Sequence, residues 1–160
     1  MVGPSSGPSW TAPPRDPTTL ARYTLDLATG RVREEVFDQR SQEFPRHDER
    51  LTGRRHRYGW AVGFEGGRTG DTVLRHDLDA GRTDVRRLGA GLEASEFCFV
   101  PPPGGSAEDD GELLGYVFDR AEGRSHLRVL DAASLEDVAA VQLPGRVPAG
   151  FHGNWAPTES

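Results

Sequence analysis

The chain has 160 residues, 35% of them hydrophobic and 28% charged, with a formal net charge of −6. That length can bury one core, but the 19 basic residues are all arginines scattered along the chain, so no basic stripe marks a nucleic-acid groove. No apolar run approaches the roughly 20 residues of a membrane helix; the single cysteine, Cys98, excludes an internal disulfide and fits a reducing compartment, so a cytoplasmic location is expected.

Residues 1–18 are rich in Pro, Gly and Ser and lack a hydrophobic signal core, which predicts a disordered lead-in before one domain over 19–160. In residues 20–27, Ala21, Tyr23, Leu25 and Leu27 alternate with polar residues, the period of a strand. Ala28-Thr29-Gly30 supplies a turn, and residues 31–37 continue extended, with Val32 and Val36 on one side; together these signal a hairpin. Further strands are expected over 57–64, 97–100, 113–118, 127–130 and 138–143, and residues 132–137 could form a single helical turn. The 20 glycines and 12 prolines fit short elements and many turns rather than long helices.

One turn pattern recurs. Asp26 to Arg31, Asp77 to Arg82 and Asp119 to Arg124 each read Asp-x-x-x-Gly-Arg. Each Asp can cap its turn and each Gly can take a positive φ. A hairpin recurring every ~40–50 residues suits the blades of a β-propeller, although three unrelated hairpins sharing a turn sequence would look alike. Three repeats cannot close a propeller, and an open stack exposes a sheet edge, so strands are expected to come from outside this chain.

Three segments stand apart from ordinary turns. The first is Glu43-Phe44-Pro45-Arg46, with Gly53-Arg54-Arg55-His56-Arg57-Tyr58-Gly59 beyond it. The second is Glu96-Phe97-Cys98-Phe99-Val100-Pro101, followed by Glu108-Asp109-Asp110-Gly111. The third is Gly150-Phe151-His152-Gly153-Asn154-Trp155. Glycines beside His152 permit close backbone approach, and imidazole is a common iron ligand. On spacing alone, His152 reads rather as a turn or core histidine, and Glu43 and Glu96 as surface residues or partners of arginine. Paired-carboxylate hydrolysis finds little support, because Asp48-Glu49 and Asp109-Asp110 are sequence neighbours rather than a pair facing across a cleft.

Taken together and in this order, the three segments resemble the carotenoid oxygenase family, which includes carotenoid-cleaving and lignostilbene-cleaving dioxygenases. The resemblance runs from about Leu20 to Trp155. It implies an all-β fold, the C-terminal blades of a seven-bladed β-propeller, with a mononuclear non-haem Fe(II) held on the axis by four histidines. It implies cleavage by O₂ of a carbon–carbon double bond in a carotenoid, apocarotenoid or stilbene. Carried over by position, His152 corresponds to an iron ligand, Glu43 and Glu96 to carboxylates that orient ligand histidines, and Phe151 and Trp155 to packing beside the site. His47, His56, His76 and His126 match no ligand and are expected to be surface or structural. Family members are longer, and their other three ligands match nothing here, so the chain is expected to be a partial propeller, inactive alone. The alternative from another class is a non-catalytic β-repeat fragment or interaction module. Because carotenoids reside in lipid, the resemblance also implies peripheral membrane contact in a longer protein, though no apolar patch in this sequence marks it.

Overall fold

The repeated turns close as their sequences demand. Asp26 accepts the backbone N–H groups of Ala28 and Thr29 at 2.9 and 3.2 Å through its side chain, and Gly30 follows at φ +68°. Asp77 caps Ala80 at 3.1 Å before Gly81 at φ +63°. Asp119 caps Ala121 and Glu122 at 2.8 and 3.2 Å before Gly123 at φ +67°. A fourth copy is hidden in the sequence. Asp131 caps Ser134 at 2.7 Å, and Leu135 takes the glycine's place at φ +63°. A left-handed leucine costs roughly 1–2 kcal/mol, which burial of its side chain, 2% exposed, offsets. Residues 132–137 therefore make a hairpin turn instead of the helical turn expected from sequence.

The computed structural model describes residues 18–65, 67, 69–150 and 152–156. Residues 1–17 of the expected lead-in lie outside the described residues, as does Phe151. Thr18, placed with the lead-in, already accepts a backbone hydrogen bond from Gln42 at 2.8 Å. Ten strands follow: β1 (Leu20–Asp26), β2 (Arg31–Asp38), β3 (Gln42–Arg46), β4 (Tyr58–Gly63), β5 (Thr72–Asp77), β6 (Arg82–Arg87), β7 (Leu92–Val100), β8 (Glu112–Asp119), β9 (Arg124–Asp131) and β10 (Asp137–Gln142). The only helical element among the described residues is a 3₁₀ turn at Glu49–Leu51. Strands β3 to β6 form one antiparallel meander and β7 to β10 another, while β1 and β2 pair only with each other.

The core lies between the two four-stranded sheets. Trp60 of β4 stacks on Phe99 of β7 with ring centroids 4.8 Å apart, and its indole N–H donates to the Ala132 carbonyl at 2.9 Å. Val62, Val73, Phe97, Leu113, Val117 and Leu130 belong to the same apolar cluster. Polar links also cross this junction: Ala94 donates to the Gly70 carbonyl at 2.8 Å, and Arg86 of β6 reaches Asp137 of β10 at 2.5 Å. Strand β5 is buried along its whole length. Its charged side chains survive burial because each is paired: Arg75 with Asp84 and Asp109, at 3.1 and 2.5 Å, and Asp77 with Arg57 at 2.6 Å. The β1–β2 hairpin differs in leaving Tyr23, Leu25, Val32 and Val36 largely in solvent.

Candidate metal centre

Two facing strands meet at the site, and each carries one extra residue. On β3 the register passes from Glu43 opposite Val62 to Arg46 opposite Trp60; on β7 it passes from Ala94 opposite Val117 to Phe97 opposite Gly115. Three residues advance against two on both strands, which is a β-bulge, a device that re-aims side chains. Pro45, with no N–H to offer a ladder, fits the interrupted position. Phe44 sits at φ +57°, a conformation that is costly for a residue with a bulky side chain. Its ring stands edge-on to His152, with centroids 5.9 Å apart at 84°. Strain of this kind persists where packing over-determines it, often beside a functional group.

The bulge on β7 delivers Glu96 to the junction, its side chain only 5% exposed. Its Oε1 accepts from Arg46 Nε at 2.7 Å and from His152 Nδ1 at 3.2 Å. Its Oε2 accepts from Arg46 Nη2 at 3.0 Å and from the Gly153 N–H at 2.7 Å. Those contacts use the roughly four acceptor positions an ionised carboxylate has. Burial pushes the Glu96 carboxyl up, but the Arg46 guanidinium, the Gly153 N–H and the His152 ring together outweigh it and hold it below the usual range. Glu96 is therefore an acceptor at neutral pH, so the proton in its contact with His152 belongs to Nδ1. A neutral His152 then keeps a lone pair on Nε2. That nitrogen has no hydrogen-bond partner among the described residues, and the ring is 72% exposed.

This is how a metal-ligating histidine is commonly prepared, with one nitrogen fixed by a carboxylate and the other free. The donor set is short of a complete site. The one group of three or more His, Cys, Asp or Glu side chains close enough to share an ion, among the described residues, is Asp119, Glu122 and His126 in the β8–β9 turn, which excludes His152. His152 thus belongs to no group of three donors among the described residues, and its free nitrogen could serve a metal only beside donors from elsewhere.

The remaining expected residues divide. Trp155 lines a cavity of about 340 Å³ together with His152, Glu96 and Cys98, and remains 45% exposed. Glu43 is exposed, its side chain makes no hydrogen bond among the described residues, and it lines another cavity of about 250 Å³ with Phe44, Phe64 and Phe118. Glu96 and His152 are brought together, then, and Glu43 is not joined to them. His47 stacks on His56 at 4.7 Å, and His76 is buried with both ring nitrogens engaged, by Thr83 at 2.9 Å and Gln42 at 2.8 Å. Sequence reasoning missed Arg46, Phe44 and the Cys98 thiol, which lies 3.2 Å from the Gly153 carbonyl. The available signal for Arg46 was its position at the end of the string that begins with Glu43.

The chain matches the family described as "Retinal pigment epithelial membrane protein" over residues 3–157. It is 46% identical over 147 residues to the carotenoid cleavage oxygenase of Mycobacterium tuberculosis, an alignment covering 88% of this chain and 29% of that protein. It is 36% identical over 148 residues to the apocarotenoid-15,15'-oxygenase of Synechocystis, covering 89% of this chain and 30% of that one. Against the lignostilbene-alpha,beta-dioxygenase isozyme III of Sphingomonas paucimobilis, identity is 34% over 156 residues, covering 86% and 31%. The crystal structure of cobalt-substituted Synechocystis apocarotenoid oxygenase superposes with a TM-score of 0.87 at 34% identity, covering 94% of this chain and 32% of that one. The described strands are accordingly part of a β-propeller, and the chain spans about three-tenths of the length of these relatives.

Proposed function

Because the chain belongs to the carotenoid oxygenase family, we propose that it forms the C-terminal blades of a non-haem Fe(II) dioxygenase. That enzyme cleaves a carbon–carbon double bond of a carotenoid, apocarotenoid or stilbene with O₂. The observation that carries this reading is the Glu96–His152 contact at 3.2 Å, which leaves an imidazole nitrogen free at the junction of two blades. Relatives named for carotenoid, apocarotenoid and lignostilbene cleavage support the substrate class, and a cobalt-substituted relative supports a metal.

In this reading His152 supplies one Nε2 donor, and Glu96 fixes its ring and tautomer. Glu43, whose side chain has no hydrogen-bond partner among the described residues, orients a histidine that lies outside this chain. Phe44 packs edge-on against the ring, and Trp155 lines the same cavity as His152. Bound Fe(II) would supply the one-electron chemistry by which O₂ reacts with a closed-shell alkene. The apolar row on β1 and β2 is covered by strands from the rest of the propeller.

The test joins residues 18–160 to the N-terminal seven-tenths of the mycobacterial relative and measures iron content and loss of visible carotenoid absorbance. We expect iron and bleaching in the joined protein, and neither in chain 1–160 reconstituted alone with Fe(II). His152→Ala in the joined protein should abolish iron retention; Glu96→Gln should weaken it by roughly 10–100-fold. An iron-replete, active His152→Ala protein would overturn the ligand assignment, and a well-folded joined protein with no iron would favour a non-catalytic module.

A further inference from the structure

Glu96 does not hold His152 unaided. Arg46 leaves β3 at its bulge, crosses to β7, and places its guanidinium along both oxygens of the carboxylate, at 2.7 and 3.0 Å. The same Nη2 that binds Oε2 also donates to the Gly153 carbonyl, while Nη1 reaches Glu49 at 2.8 Å. Gly153 closes the circuit by donating its N–H back to Glu96 at 2.7 Å. One side chain thus ties β3, β7 and the 152–153 backbone together, and it is 18% exposed against 5% for its carboxylate partner.

The geometry matters as much as the charge. A carboxylate turns broadly about its last torsion. A guanidinium fork held on both oxygens stops that rotation and fixes the carboxylate plane. With the plane fixed, Oε1 faces His152 and Oε2 faces Gly153. A lysine is a point charge; it can neutralise Glu96 but cannot grip both oxygens and the Gly153 carbonyl together. Arg46 directly follows the β3 bulge and Glu96 lies within the β7 bulge, so the bulges aim the two ends of one ion pair at each other.

We propose that Arg46 is the positioning residue of this site: by clamping Glu96 and Gly153 across the blade junction, it sets the orientation and tautomer of His152. The proposal rests on His152 being the ligand named above, but its mechanics concern the metal-free chain and can be read there.

The experiment is ¹⁵N–¹H correlation of histidine ring nitrogens in metal-free chain 1–160. In the unaltered chain His152 should show the Nδ1–H form, the reverse of the preference of a free imidazole. Arg46→Gln should lose that signal and return His152 to the solution mixture, and Arg46→Lys should recover it only in part. Glu49→Gln, which removes a partner of Arg46 without touching Glu96, should leave His152 unchanged. A merely structural Arg46 would leave the tautomer as it was in every folded variant, and that result overturns the proposal. So does full recovery by Arg46→Lys, since charge alone would then suffice. Should Arg46→Gln not fold, the Arg46 Nε–H of the unaltered chain decides. Slow exchange with water and hindered guanidinium rotation are expected; free rotation overturns the clamp. None of these readouts needs iron, so a failure of iron binding in the joined protein is distinguishable from a failure here.

Discussion

The β1–β2 hairpin and the β5–β6 hairpin are built on the same turn. Both read Asp-x-x-x-Gly-Arg, both cap the turn with the aspartate, and their glycines sit at φ +68° and +63°. Their fates differ. Every residue of β5 is buried, whereas Leu25 and Val32, which pair across β1 and β2, are 62% and 63% exposed. A local turn therefore specifies a hairpin, and only neighbouring strands turn it into a blade. Strand β5 has β4 and β6 on its edges and a second sheet nearby; β1 and β2 have each other.

Truncating an apolar side chain gives the largest separation between the two. Leu74 of β5 is fully buried, so Leu74→Ala should cost about 2–5 kcal/mol. Leu25→Ala, at a mostly exposed position, should change stability by less than about 0.5 kcal/mol. Urea midpoints at constant slope measure both. Equal losses would mean that the hairpin packs as tightly as the blade.

The capping aspartates separate by a smaller amount and through pH. Asp77 is buried and takes two bonds from Arg57, at 2.8 and 2.6 Å. The Arg57 guanidinium, working against burial, holds the Asp77 carboxyl far below its ordinary value. A carboxyl depressed in the folded state stabilises the fold above its unfolded value, and that contribution fades as pH falls through the acid range. Asp77→Asn should therefore cost about 1–2 kcal/mol at neutral pH, with the gap to the unaltered chain narrowing on acidification. Asp26 is also lowered, first by the Thr29 hydroxyl, but it is solvent-exposed, and Asp26→Asn should leave the pH dependence of melting nearly as in the unaltered chain. Parallel pH–melting curves for Asp77→Asn and the unaltered chain would remove the linkage.

The same contrast explains what was legible in the sequence. Strands β1, β2, β4 and β8 to β10 announce themselves as extended apolar runs, and in β1 one row alternates with the other. Strand β5 shows no alternation of its own and is marked in the sequence only by the Asp77–Arg82 turn, since Arg75, His76 and Asp77 are buried polar residues whose partners (Asp84, Asp109, Thr83, Gln42 and Arg57) are fixed only by the fold. Strand β3 hides behind Pro45 and its bulge, features that argue against a strand when read locally. The β9–β10 turn escapes because Leu135 stands where its siblings have glycine. At the site, resemblance singled out His152 and Glu96, which the structure brings into contact, while Arg46 was not assigned a role. Its bond to Glu96 spans 50 residues and depends on β3 lying beside β7, which no periodicity reports. Glu43 is exposed and its side chain has no hydrogen-bond partner among the described residues, so the role that resemblance implies for it depends on a partner from elsewhere.

The smallest expected difference is the most direct probe of the turns themselves. A Cβ on Gly30 or Gly81 would meet no atom within 4 Å, so Gly→Ala at either position adds no clash and costs only the left-handed conformation, about 1 kcal/mol. In β5–β6 that cost falls on a strand whose opening exposes the core, so Gly81→Ala should lower the cooperative melting temperature by a few degrees. In β1–β2 it falls on a pair that can open without uncovering β3 to β10. Gly30→Ala should then speed amide hydrogen exchange in residues 20–38 and leave global melting unchanged. If Gly30→Ala lowers the melting temperature as much as Gly81→Ala, the hairpin unfolds with the blades, and its exposed apolar row is not the mark of a separate unit.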